Sequence, residues 1–188
     1  MEREVVWSSW DGRALEHLRV TADDEGVLAD GLVLGVEDGR PFRLRYRVRC
    51  DADWRVREVD LDPLRPGAPA VALRADGAGR WTTAAGDPVP ALDGCLDVDI
   101  RVTPFTNTLP VRRLGLRMGE TREIAVVYVA VPEMEVTPVP QRYTCLELRA
   151  DGGRYRYEGL STGFAAELPV DADGLVLDYP GVFRRVWP

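Results

Sequence analysis

The sequence predicts an all-β protein, and three observations carry that prediction. Apolar and polar residues alternate with a period of two along most of the chain, seven Asp-Gly pairs punctuate it, and no stretch carries a long amphipathic helix. The pairs lie at 11–12, 30–31, 38–39, 76–77, 93–94, 151–152 and 173–174. Asp-Gly between alternating runs marks a hairpin because both residues tolerate the positive φ of a type I′ turn, so each pair is expected to reverse the chain.

Taken in order, the elements follow from that rhythm. Arg13 to Leu18 could wind into a helical turn, but Glu16-His17-Leu18-Arg19-Val20 alternates equally well as a strand. Phe42, Leu44, Tyr46, Val48 and Cys50 form one face of the next clear strand, and Arg43, Arg45, Arg47 and Arg49 form the other. Asp51 to Asp53 turns the chain into Trp54-Arg55-Val56-Arg57. Val59 and Leu61 then move the apolar side to odd numbers, which predicts a bulge near Glu58. From Pro63 to Pro90 the composition is rich in Pro, Gly and Ala, yet Val71, Leu73 and Trp81 keep strand spacing; hairpins with loose loops are expected there. Leu96 to Val102 alternates again, and Ile124 to Pro132 is an apolar run of buried-strand length. Thr144 to Leu148, Arg154 to Glu158, Leu175 to Leu177 and Val182 to Trp187 supply the later strands. Turn signals every 8–12 residues fit roughly a dozen or more strands, and residues 1–188 read as a single domain.

Composition excludes several classes of function. The chain is 45% hydrophobic and 29% charged, an ordinary globular balance, with a formal net charge of -7. That sign argues against nucleic acid as partner and against average attraction to an anionic membrane surface. No run approaches the roughly 18 apolar residues of a membrane span, and the N-terminus has no apolar signal-peptide core, so a cytoplasmic protein is expected. Every basic side chain apart from His17 is Arg, in keeping with a GC-rich coding bias. Cys50, Cys95 and Cys145 are odd in number and form no CxxC pair; buried free thiols are expected, not disulfides or zinc ligands. One His and no phosphate-cradling glycine loop give no reason to expect a metal or another cofactor.

The candidate chemistry centres on residues 97–113. Asp97 and Asp99 sit at i and i+2, so a strand places them on one face with Arg101 and Thr103. Paired carboxylates can divide acid and base work, or can pair with Arg101 or with the Arg43-to-Arg49 face in a solvated ladder. The stretch TPFTNTLPVRR follows, with the chain's one Asn, Asn107, between Thr106 and Thr108. Pro104 ends the strand. The hydroxyl and amide groups of Thr106 and Asn107 suit sugar hydroxyls, and suit capping of their own loop equally well. His17 is a structural or ligand-contacting residue; it and Glu16 point to opposite faces of a strand, so they cannot work as base and orienter. Tyr155, Tyr157 and Tyr179 are core residues or the amphipathic walls of a pocket.

Asp97-Val98-Asp99-Ile100 running into Thr103-Pro104-Phe105-Thr106-Asn107-Thr108-Leu109-Pro110-Val111-Arg112-Arg113-Leu114 resembles the hallmark of the putative glycolipid-binding family of bacteria, formerly a domain of unknown function. The resemblance continues through Glu16-His17, Asp30 to Gly35, Val136 to Tyr143, Tyr155-Arg156-Tyr157 and Tyr179 to Phe183. It implies a spiral β-roll, a half-barrel-like curled antiparallel sheet round a cavity or groove. The fold so implied is similar in outline to the half-barrel carriers of bacterial envelopes, and the implied ligand is a small amphipathic molecule, a glycolipid. Such carriers are exported, whereas the N-terminus here has no apolar signal-peptide core, which leaves open a role within the cell, in glycolipid or polyketide-like metabolism.

Two functions are therefore open. The first is non-enzymatic binding, with an acyl chain inside the roll and a polar rim made by Thr106, Asn107 and Arg112, reached along Asp97 and Asp99; His17, Tyr143 and Tyr157 complete the candidate site. The second is a hydrolase or lyase that uses Asp97 or Asp99 as acid or base. Same-face i, i+2 carboxylates have backbones roughly 6.5–7 Å apart, within reach of glycoside cleavage geometry.

Overall fold

The alternation folds as it reads. In the computed structural model, which describes residues 1–188, 57% of residues are strand and 7% are helix, so the protein is all-β. Seven strands come first: β1 (Glu2–Ser9), β2 (Ala14–Asp23), β3 (Gly26–Glu37), β4 (Arg40–Cys50), β5 (Val56–Asp62), β6 (Val71–Ala75) and β7 (Trp81–Thr83). Each pairs antiparallel with the next. Five more form a second sheet: β8 (Asp97–Ile100), β9 (Thr121–Val129), β10 (Val136–Arg149), β11 (Gly152–Gly159) and β12 (Phe164–Asp171). There β8 runs parallel to β9 and the other pairs are antiparallel. The chain ends with β13 (Asp178–Tyr179) and β14 (Phe183–Trp187), which add to the free side of β1 and complete a nine-stranded sheet.

β4 shows how the pattern becomes structure. Leu44, Tyr46, Val48 and Cys50 are buried, while Arg43, Arg45, Arg47 and Arg49, which alternate with them, are exposed. Those arginines do not meet Asp97 or Asp99. Arg45 and Arg47 pair with Asp30 of the neighbouring strand and Arg49 with Glu58, while Arg101 pairs with Glu37. The expected bulge is present, with Arg57 as the extra residue between the pairs Arg49–Glu58 and Cys50–Val56.

Five of the seven Asp-Gly pairs lie in turns or loops between elements, Asp151-Gly152 opens β11 from its turn, and Asp30-Gly31 lies in no turn. It sits inside β3, where Gly31 faces Tyr46 across the sheet. A Cβ on Gly31 would lie 2.2 Å from the Tyr46 ring. Glycine is required there by close approach, not by a turn.

Residues 103–114 differ most from expectation. They form no exposed loop. A 3₁₀ turn, Phe105–Asn107, runs into the helix α1 (Thr108–Leu114), and every residue from Val102 to Val111 is buried. Gly115, with φ at 53°, stops the helix in the left-handed conformation that glycine adopts readily. This segment plugs the space between the sheets. Phe105 and Leu109 join the larger core, built on the inner faces of β1 to β7 together with Val98, Ile100, Val127 and Val129. Val111 and Leu116 join the smaller core with Tyr143, Cys145, Tyr155 and Leu168. The three cysteines are buried and free.

Candidate functional site

Both aspartates lie on β8, on the face opposite Val98 and Ile100, and their environments differ. Asp97 is fully buried, and both its oxygens accept from Arg113: Nε lies 2.9 Å from Oδ1 and Nη2 lies 2.5 Å from Oδ2. Burial pushes the Asp97 pKa up, and the Arg113 guanidinium opposes that push. Asp99 has no arginine. Its Oδ2 accepts from Gln141 Nε2 at 2.6 Å and its Oδ1 from Thr106 Oγ1 at 3.3 Å. Burial raises its pKa as well, with those two hydrogen bonds acting against the rise.

Asp99 faces a cavity of about 780 Å³ between the two sheets. That volume is within the roughly 300–1,000 Å³ of small-molecule pockets. The nine-stranded sheet and its turns contribute Phe42, Tyr179 and Phe183, and the five-stranded sheet contributes Tyr128, Gln141 and Tyr157. Tyr157 packs edge-on to Tyr179 with ring centroids 6.2 Å apart, and Phe183 lies 6.5 Å beyond Tyr179. Burial raises the Tyr157 and Tyr179 pKa values, so both rings carry neutral hydroxyls. Arg101 and Glu37 also border the cavity, paired with each other.

Of the residues named from the sequence as site or pocket wall, the cavity takes in Asp99, Tyr157 and Tyr179 directly. Thr106 stands one hydrogen bond behind Asp99. Asn107 and Tyr143 lie deeper. The Tyr143 hydroxyl donates to Asn107 Oδ1 at 2.9 Å, and Asn107 Nδ2 donates to the Pro104 carbonyl at 3.3 Å. The Tyr143 ring meets Tyr157 edge-on at 5.5 Å, so it supports the cavity wall from behind. Arg112 belongs elsewhere: it lies 5.1 Å from the centroid of the Trp54 ring, beside a second cavity of about 450 Å³. His17 projects from the outer face of β2, with Nε2 3.6 Å from Glu4. The polar rim read from the sequence is thus an interior plug, and Asp97 is committed to Arg113.

Two residues escaped the sequence reading. Gln141 sits at a cavity-facing position of β10, buried beside Val139, and it is the only Gln in the chain. Its isolation was the available signal. Glu16 is buried under the nine-stranded sheet, where Tyr46 and Thr103 hydroxyls donate to its Oε1, the latter at 2.7 Å. Alternation already placed it on the face of Leu18 and Val20.

The family model described as putative glycolipid-binding matches residues 4–185. The chain is also similar to a crystal structure of a DUF1089 family protein from Pseudomonas aeruginosa, at 41% identity and a TM-score of 0.81. That similarity covers 95% of this chain and 92% of the other. No curated protein matches it. With nearly the whole length matched, the chain belongs to the putative glycolipid-binding family.

Proposed function

We propose that the protein binds an amphipathic small molecule, a glycolipid in the first instance, in the cavity between its sheets and without chemical conversion. One observation carries this reading. The cavity joins a continuous aromatic wall, Tyr157, Tyr179 and Phe183, to a convergent polar group centred on the buried Asp99 and Gln141. Apolar walls with a few placed polar groups are how proteins hold small ligands. The hydrolase reading has lost its second carboxylate, because Asp97 gives both oxygens to Arg113. Glycoside cleavage by a carboxylate pair needs both groups free at the substrate.

The test is native mass spectrometry for co-purifying lipid, followed by titration with an n-alkyl glycoside. Val139 is half-buried on the cavity wall. Val139→Trp should narrow the cavity and weaken binding while the melting temperature stays within a few degrees. Unchanged affinity in that variant would move the site away from this cavity.

A further inference from the structure

The cavity has a buried polar end and an exposed end of mixed character. At the inner end Gln141 is 2% exposed, next to Asp99 and Tyr157. At the outer end the large apolar side chains Trp10 and Phe164 are 50% and 43% exposed, among the exposed polar residues Asp11, Arg13, Ser161 and Thr162. A lipid carrier that swallows an acyl chain needs an apolar floor, and here Gln141 and Asp99 put polar groups on it.

The floor has a definite hydrogen-bond pattern. Gln141 Nε2 donates to Asp99 Oδ2 at 2.6 Å and to the Tyr157 hydroxyl oxygen at 3.2 Å. With both amide protons engaged, the Gln141 carbonyl Oε1 is left as an acceptor. Tyr157 accepts from Gln141, so its own O–H is left as a donor. Asp99 adds carboxylate acceptor capacity beyond its two bonds to Gln141 and Thr106. The floor therefore presents acceptors and a donor side by side. A phosphate offers acceptors and charge, and would meet a carboxylate. An ammonium offers donors alone and cannot take the Tyr157 proton. A hydroxyl both donates and accepts, and matches the set.

We infer that the ligand enters polar end first, with an uncharged hydroxylated head group on Asp99, Gln141 and Tyr157 and its apolar tail leaving the mouth across Trp10 and Phe164. This rests on the binding reading above and adds the orientation and the head-group class. The device would read a head group while the tail stays outside.

The chain holds one Gln and one Asn, so its NMR spectrum has two side-chain amide pairs, Gln141 and Asn107. Adding n-octyl β-glucoside should move the Gln141 pair and leave the buried Asn107 pair in place. A nitroxide at the end of the octyl chain should broaden the Trp10 indole N–H and spare Gln141. n-Octyl phosphate and n-octylammonium should bind at least about tenfold more weakly than the glucoside. Tyr157→Phe, which keeps the ring, should weaken glucoside binding about three- to tenfold, the loss of one hydrogen bond. Broadening of Gln141 by the chain-end label, or equal binding of the phosphate or the ammonium, would overturn head-first recognition while binding at the cavity stands. Absence of binding by all three amphiphiles would overturn this inference together with the reading beneath it.

Discussion

Glu16 is a carboxyl group placed where an aliphatic side chain would be ordinary. Its Oε1 takes hydrogen bonds from Tyr46 and Thr103, while Oε2 is buried with no partner. A charge there would leave a bare anionic oxygen away from water, so burial pushes the Glu16 pKa from 4.5 up to about 8. Below pH 4.5 the group is protonated in both folded and unfolded chains and gives no slope. Between 4.5 and about 8 the unfolded chain releases the proton that the folded chain keeps, so its contribution to stability falls as pH rises; above about 8 it is flat. At about 1.4 kcal/mol per pH unit the fall amounts to several kcal/mol. Melting temperatures of wild type and Glu16→Gln from pH 4 to 9 should converge at the acid end and separate in favour of the variant toward pH 8. Parallel curves would show that Glu16 is ionised throughout. The placement was legible, because β2 alternates and Glu16 shares a face with Leu18 and Val20. Its partners were not: Thr103 is 87 residues away, and no local pattern predicts which groups a closed interior brings together.

At the level of the element, the plug from Phe105 to Leu114 is held by its own hydrogen bonds as much as by its neighbours. Thr103 Oγ1 accepts from the Phe105 N–H at 3.0 Å, and Thr106 Oγ1 accepts from the Ile100 N–H at 3.3 Å. The Thr and Asn residues that look like a ligand-binding rim in the sequence satisfy buried backbone instead. Sequence reasoning left both uses open because the same donors and acceptors serve either; burial decided it. Asn107→Ala should cost about 1–3 kcal/mol, since it strands the buried Tyr143 hydroxyl. Tyr143→Phe should cost less, and the double variant should cost less than the sum of the two. A double-mutant cycle by denaturant unfolding checks this, and full additivity would deny the bond. The strands were far more legible than the plug. A period of two is repeated evidence along each strand, whereas a seven-residue helix containing a proline leaves no period to detect.

Across the whole molecule the two sheets are tied at several points. Trp7 Nε1 donates to the Val176 carbonyl at 2.8 Å, Glu16 reaches Thr103, and Asp171 receives both Arg3 and Arg185. The tryptophans are confined to one sheet. All five lie on the nine-stranded sheet or its connecting loops, while four of the six tyrosines, Tyr128, Tyr143, Tyr155 and Tyr157, lie on the other. Tryptophan fluorescence therefore reports the nine-stranded sheet, and tyrosine absorbance is weighted toward the five-stranded one. With the plug shared between both cores, the two denaturation curves should superimpose as one transition. Two midpoints would mean that the sheets unfold separately.

β12 would be the long outer strand of the five-stranded sheet, but the chain after it covers the far side of its last residues, Pro169 to Asp171. Asp171 N–H donates to the Leu175 carbonyl at 3.0 Å and Leu177 N–H to the Pro169 carbonyl at 2.8 Å, and Arg185 N–H then donates to Leu177 on the way into β14. One sheet is thereby sewn to the other along that margin. The margins left open are β7 with three residues, β13 with two, β8 with four and the first part of β12, Phe164 to Leu168. Unpaired strand margins are the templates on which foreign chains add and fibrils grow, and short ones offer little purchase. A chain that is mostly strand thus offers copies of itself only short stretches of seam from which a fibre could start.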